Sequence, residues 1–243
     1  MEGIAGGPWA ILLALVAVGC AFTVSAASGL GGSLILVPAM SLILGAKQGI
    51  AVAALLLAYN NVGKVIAYRR VIPWAATTGV VGLTILGALV GATAMAAAPD
   101  RIVAMAVVAV MSASFWIERR GWSIRGCAFA PALAFMSGAT SGFSGTSGPL
   151  KGLALRQLEL DRFHFVGAAS SIVSFAGDLT KVIVFASALP ISREPWVIVA
   201  AALPVTPAAV LLGWRINRKV GERGYATLFW TVMTGYAVRL VLG

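Results

Sequence analysis

The sequence predicts an all-α polytopic membrane protein with an inverted-topology internal repeat, about eight transmembrane helices and two short hairpin (re-entrant) helices. Three observations lead to this prediction. The 243 residues are 60% hydrophobic and 11% charged, whereas about a quarter of the residues in soluble domains are charged. Apolar runs of bilayer-spanning length occupy most of the chain. A glycine-rich motif and a lone lysine recur half a chain apart, a pattern typical of transporters.

The repeat consists of two glycine-rich segments, each followed by a lysine. Ser28–Ser33 lies 116 residues before Ser144–Pro149, and Lys64 lies 117 residues before Lys181. Each segment leads into an apolar run that is too short to cross about 30 Å of hydrocarbon. We therefore predict that each segment is the tip of a helical hairpin, in which a long helix descends and a short helix returns. The short runs are 33–45 and 149–160.

Each half is predicted to contain one hairpin and three spans, and a cytoplasmic linker at 119–126 joins the halves. The predicted elements are hairpin 9–45 and spans 51–68, 75–97 and 101–117 in the first half (1–118), and hairpin 127–160 and spans 163–186, 196–213 and 224–242 in the second (127–243).

The positions of lysine and arginine support the hairpin arrangement. An excess of these cations marks the cytoplasmic side of a membrane protein. With both hairpins re-entrant, both termini lie outside and the two halves have opposite orientations, as in inverted-repeat transporters. The predicted internal cations are Arg69, Arg70, Arg119, Arg120, Arg125, Lys151, Arg156, Arg162, Arg215, Arg218, Lys219 and Arg223, and the external ones are Lys47, Arg101 and Arg193.

The glycine-rich segments are candidate anion sites. A break in a helix exposes backbone N–H groups, and the helix that follows directs its positive dipole end at the break. Glycine lets an anion approach the backbone closely. Alternatively, small residues at these positions only allow helices to pack closely. The candidate substrate-binding residues are Ser28, Gly29, Gly31, Gly32 and Ser33 in the first copy, and Ser144, Gly145, Thr146, Ser147 and Gly148 in the second.

The two repeated lysines are candidates for supplying positive charge to a substrate. An ammonium at mid-bilayer costs about 2.5–3.5 kcal/mol on insertion scales, so such lysines either serve a site or snorkel to the interface. Lys64 and Lys181 would approach the transport path from opposite halves, which suits a small dianion. Asn60 and Asn61 precede Lys64 and either donate to substrate or bridge helices.

Two further titratable residues are candidates for proton coupling. Asp178 lies three residues before Lys181 and shares its helix face. The two side chains either neutralise each other in a structural ion pair, or protonation of the Asp178 carboxylate releases the Lys181 ammonium group. His164 is the single histidine, and it either shuttles protons or occupies the membrane interface without a role.

Composition also argues against several other functions. The net charge of +10 comes from cations in short loops, so we expect no nucleic-acid partner. One histidine and no clustered cysteines predict no metal site. No nucleotide-binding P-loop is present, and we expect no cofactor.

The doubled motif resembles the sulfite exporter TauE/SafE family along essentially the whole chain. The first copy is Gly29–Pro38 and the second is Ser141–Leu150. Ser33 and Ser147 depart from the glycines usual in the family. The resemblance implies a non-enzymatic secondary transporter in the bacterial plasma (inner) membrane. It implies export of a small sulfur anion (sulfite, thiosulfate or an organosulfonate) by alternating access and at the expense of an ion gradient. Membrane lipid is an expected partner, and homo-oligomerisation is left open.

Two alternatives are kept. The first is an importer or carrier of another small anion. The second is a rhomboid-like intramembrane serine protease, because the segments around Ser144 and Ser147 match GxSG and His164 supplies HxxG. A Ser–His dyad needs its imidazole within hydrogen-bond reach of the hydroxyl. Against the protease, the first repeat duplicates the glycine segment without any histidine.

Overall fold

The structure, a computed structural model, describes residues 8–28, 32–70, 72–120, 129–147, 150–158, 160, 164, 172–189 and 193–216. Within these ranges the chain is all-helical apart from turns, with no β-strand. The predicted span 224–242 lies outside them. The helices in the described ranges are α1 (Pro8–Ser28), α2 (Gly32–Leu44), α3 (Ala46–Tyr68), α4 (Trp74–Ala97), α5 (Asp100–Arg120), α6 (Ala130–Ser144), α7 (Leu150–Arg156), α8 (Ser174–Ala188) and α9 (Arg193–Ile216).

Helices α1, α3, α4 and α9 are long and apolar enough to cross a membrane, and they are the four such helices in the described residues. Large apolar side chains on their outer faces are exposed, among them Leu12, Leu86 and Leu211. Contiguous exposed apolar surface of this kind is expected where lipid replaces water. By contrast, α2 has 13 residues, too few to span the hydrocarbon.

The main apolar core is formed by α1, α2 and α3. Its largest fully buried side chains on these helices are Phe22, Ile35, Leu36, Met40, Ile50 and Leu56. The core extends to α5, α8 and α9, and a smaller apolar cluster joins α4, α6 and α7. Apolar packing therefore surrounds the polar residues that these helices also carry.

Each glycine-rich segment connects two helices that pack against each other, α1 with α2 and α6 with α7. At the end of α6, Gly145 has a left-handed backbone with φ 80°. Its N–H donates to the Ser141 carbonyl at 2.9 Å, as in a helix C-cap in which glycine avoids the steric penalty of a Cβ atom. The chain therefore turns at this glycine.

The most extensive packing joins helices that are distant in sequence. Helix α4 packs against α6, and α1 packs against α9. Helix α8 contacts both α3 and α4. The N-terminal helices α1–α5 and the C-terminal helices α6–α9 are therefore intertwined, and the space between them is bordered by both halves.

The contact between α4 and α6 depends on glycines spaced four residues apart on both helices. A Cβ atom at Gly87 or Gly91 would lie 2.1 Å from a backbone oxygen of α6, the oxygen of Ala139 in the case of Gly91. Conversely, a Cβ atom at Gly138 or Gly142 would lie 2.2 or 2.5 Å from a backbone oxygen of α4. Paired GxxxG motifs allow helix backbones to approach closely in membranes.

We expect Gly91→Ala to destabilise the protein by about 1–3 kcal/mol, because the added methyl group must push α4 away from α6. Gly82→Ala on the same helix is the matched control, since nothing lies within 4 Å of its added Cβ atom. The measurement is the midpoint of thermal unfolding of the purified protein in detergent. Equal midpoints for the two variants would contradict the close contact.

Candidate functional site

A small polar cavity lies between the two halves, within the apolar bundle. Its volume is about 40 Å³, enough for roughly three water-sized groups at 10–15 Å³ each. Seven hydroxyl groups, an amide, a carboxylate and two ammonium groups line it. Its polar lining residues are Ser25, Ser33, Asn61, Lys64 and Thr84 from the first half, and Ser137, Ser141, Ser147, Lys151, Ser174 and Asp178 from the second.

The two glycine-rich segments meet at this cavity. The Ser33 and Thr146 hydroxyl oxygens are 3.0 Å apart. Gly32 also borders the cavity, and a Cβ atom there would lie 2.8 Å from Ser25 Cβ. A Cβ atom at Gly145 would lie 2.9 Å from Val37. Both glycines therefore allow close packing and also border the cavity. The two interpretations of the motif, an anion site and a site of close helix packing, are compatible.

The repeated lysines make equivalent contacts. Lys64 Nζ donates to Ser25 Oγ at 2.5 Å, and Lys181 Nζ donates to Ser141 Oγ at 3.0 Å. Lys181 also donates to the Gly145 carbonyl at 3.3 Å. Ser25 and Ser141 lie 116 residues apart, the same offset as the glycine motif. Each lysine thus donates to a serine on the helix that precedes the glycine-rich segment of its own half.

Asp178 contacts one residue of each half, one through each of its two oxygens. Its Oδ1 forms an ion pair with Lys181 Nζ at 2.6 Å. Its Oδ2 accepts a hydrogen bond from Asn61 Nδ2 at 2.8 Å. Both interactions are buried, where desolvation makes an unpaired charge costly. The carboxylate therefore neutralises Lys181 in this structure, and Asn61 bridges the helices α3 and α8.

Lys64 and Lys181 consequently differ in electrostatic environment. Asn61 and Asp178 occupy equivalent positions three residues before the two lysines. Lys181 therefore has a carboxylate partner, whereas no carboxylate in the described residues forms an ion pair with Lys64. Lys64 is nevertheless buried, with 5% exposure, and it borders the cavity. A buried cation that no carboxylate of the described residues neutralises suits an anionic ligand.

Besides Lys64, the cavity is lined by a lysine that the repeat motif does not identify. Lys151 lies near the start of α7 and borders the cavity, and its Nζ donates to Ser174 Oγ at 2.6 Å. In the sequence Lys151 appears only as one of many loop cations. Its position two residues after Pro149, in the short helix that follows the second glycine segment, is the signal that places it at the hairpin tip.

Ser137 adds a polar atom that is free to bind. Its side chain lines the cavity and is 1% exposed. Its Oγ has no hydrogen-bond partner in the described part of the chain. A buried hydroxyl without a partner loses its hydration without compensation, so a ligand that accepts or donates a hydrogen bond there is favoured.

Other predicted site residues lie elsewhere or outside the description. Asn60 is buried and does not line the cavity. Ser144 Oγ is bound to the Thr140 carbonyl at 2.8 Å, and His164 is exposed. Nothing in the described residues thus supports the protease alternative, and the described ranges contain no metal-ligating cluster. Ser28 ends α1, while Gly29, Gly31 and Gly148 lie outside the described residues.

A bundle of apolar helices that encloses a small polar cavity with buried ammonium groups is the architecture of a membrane transport protein. The chain belongs to the sulfite exporter TauE/SafE family, whose profile matches residues 12–240. The resemblance deduced from the doubled motif is therefore confirmed. No curated relative and no solved structure matches the chain. Members of this family are multi-pass membrane proteins that transport sulfite or related anions, and they are not enzymes. Family membership therefore implies that this chain is a membrane transporter.

Proposed function

We propose that this protein exports a small sulfur-containing anion across the bacterial plasma membrane by alternating access, driven by an ion gradient. One observation carries the proposal. The ammonium groups of Lys64 and Lys151 border the cavity, and no carboxylate in the described residues forms an ion pair with either. Because an uncompensated cation is costly inside a membrane protein, an anion from solution is the natural partner.

The size of the cavity favours a compact anion. A volume of about 40 Å³ holds roughly three water-sized groups, which matches the oxygens of sulfite or thiosulfate better than a longer organosulfonate. Hydroxyl groups such as those of Ser25, Ser137 and Ser147 surround the space. These hydroxyls can donate to oxyanion oxygens, while the lysines supply charge-assisted hydrogen bonds.

Alternating access is supported by the equivalence of the two halves. The Lys64–Ser25 and Lys181–Ser141 contacts correspond at offsets of 117 and 116 residues. The packing of α4 on α6 corresponds to that of α9 on α1. These correspondences support an inverted repeat with the site at the junction of its halves. We propose eight spans from the apolar runs of the sequence, and external termini from the positions of lysine and arginine.

Asp178 is our candidate for coupling to protons. It pairs with Lys181 at 2.6 Å and also borders the cavity. Protonation of this carboxylate would release the Lys181 ammonium for the anion and would link proton binding to anion binding. His164 is exposed, so any role in proton transfer would lie at the surface of the protein.

The test is anion binding and transport by the purified full-length protein. Sulfite, thiosulfate, sulfate, sulfoacetate, taurine and acetate are titrated calorimetrically, and the anions that bind are followed in proteoliposomes with an imposed proton gradient. We expect saturable binding and gradient-driven movement of a compact sulfur anion. Movement of another anion alone would favour the alternative of a different cargo, and inward movement would favour an importer. Absence of binding by every anion would contradict the proposal.

A further inference from the structure

The cavity is bordered by two lysines with which no carboxylate in the described residues forms an ion pair. Four charged side chains lie at the site, namely Lys64, Lys151, Lys181 and Asp178. Asp178 and Lys181 form an ion pair at 2.6 Å and cancel each other. Lys64 and Lys151 remain, and each donates one described hydrogen bond to a neutral serine. Since an ammonium group has three donors, both can also donate to a bound anion.

Lys151 is present in the second copy of the repeat and has no equivalent lysine in the first copy. At an offset of 116 residues its counterpart in the first half is Ile35. Ile35 is 1% exposed and belongs to the apolar core. The first glycine segment is thus followed by an apolar side chain where the second is followed by a cation. The repeated framework alone would leave the cavity with one unpaired charge, and Lys151 raises this to two.

We infer that Lys151 is a specificity-determining residue that makes the site select doubly charged oxyanions over singly charged ones. The inference rests on the proposed function and adds to it the charge of the substrate. A singly charged anion would leave one ammonium in the low-dielectric interior without compensation, which is costly. A compact dianion compensates both ammonium groups, and the unpartnered Ser137 hydroxyl provides a further contact for one of its oxygens.

The test compares two anions of similar shape and different charge. Sulfate carries two charges at neutral pH, and methanesulfonate replaces one sulfate oxygen with a methyl group and carries one. Their dissociation constants are measured by calorimetry on the purified full-length protein. For the wild type we expect sulfate to bind about tenfold more tightly or better, because it gains a second charge-assisted contact. Equal or weaker binding of sulfate by the wild type would overturn the inference.

Three variants show whether Lys151 is responsible. Lys151→Met keeps much of the length of the side chain without its charge, and we expect the sulfate preference to fall towards unity. Lys151→Arg keeps the charge and should keep the preference. Lys47→Met is the control for loss of a lysine elsewhere, because Lys47 binds the Ala96 carbonyl and Asp100 and does not line the cavity.

The outcomes separate this inference from the proposed function. Sulfur anions that bind with an unchanged sulfate preference in Lys151→Met would overturn the role of Lys151 and leave the transporter proposal intact. Absence of binding of every sulfur anion to the wild type would overturn both. Should Lys151→Met fail to fold, the wild-type comparison and Lys151→Arg still decide, because a preference lost in Lys151→Arg contradicts a role that depends on charge.

Discussion

Replacing Lys64 with glutamine is expected to weaken binding of the transported anion by roughly 30- to 150-fold. The estimate corresponds to the loss of a charge-assisted hydrogen bond of about 2–3 kcal/mol. Lys64 borders the cavity and has no carboxylate partner in the described residues, so its charge is available to a ligand. Glutamine is polar and uncharged and keeps a hydrogen-bond donor at this position, so the effect reports on the charge.

The measurement is the dissociation constant for sulfite, or for whichever sulfur anion binds most tightly, together with its rate of movement in proteoliposomes. Lys47→Gln is the matched control. Its ammonium donates to the Ala96 carbonyl at 3.0 Å and lies 3.8 Å from Asp100, away from the cavity. Unchanged affinity in Lys64→Gln would mean that this lysine serves the fold and not the ligand.

Replacing Asp178 with asparagine is expected to destabilise the protein by about 3–5 kcal/mol, the cost of breaking a buried ion pair by removing one partner. Lys181 is fully buried, so its ammonium would lose its counterion without gaining water. Asparagine can still bind Asn61, which separates the loss of charge from the loss of the hydrogen bond between α3 and α8. The midpoint of thermal unfolding in detergent measures the effect.

The double variant Asp178→Asn, Lys181→Met is compared with the single variant Asp178→Asn. Both charges are then absent, and we expect it to recover most of the lost stability, because buried ion pairs contribute little beyond what apolar residues provide. A double-mutant cycle with Lys181→Met gives the interaction energy of the pair directly. Additive effects of the two substitutions would contradict a direct coupling of Asp178 with Lys181.

The helical class, the turn at Gly145 and the polarity of the site are predictable from the sequence because they follow from local patterns. A lysine in an apolar run is conspicuous, so Lys64 and Lys181 are identifiable in advance. The serines that accept hydrogen bonds from these lysines are harder to identify, because serine is common in apolar helices. Ser25 and Ser141 could still have been found, because they repeat at the offset of 116 residues that defines the glycine motif.

Other features depend on contacts between distant segments. Asp178 precedes Lys181 on one helix face, which indicates their pairing, but its second partner is Asn61 of the other half, 117 residues away. Asn60 and Asn61 are adjacent and equally polar, yet only Asn61 lines the cavity. Asn61 is on the face of α3 that contacts α8, where it donates to Asp178. The offset of 117 residues that relates Asn61 to Asp178 is the signal in the sequence that distinguishes it from Asn60.

The pairing of α1 with α9 and of α4 with α6 has a consequence for biogenesis. As the ribosome delivers the chain, α4 enters the bilayer before α6 has been synthesised, and its glycine face is then covered by lipid. Helix α1 is inserted even longer before its partner α9 is synthesised. Contacts between segments that are distant in sequence stabilise the chain only after the entropy of loop closure has been lost. We therefore expect the nascent chain to remain loosely assembled until its C-terminal half is inserted, and a half-length fragment to lack a stable tertiary structure.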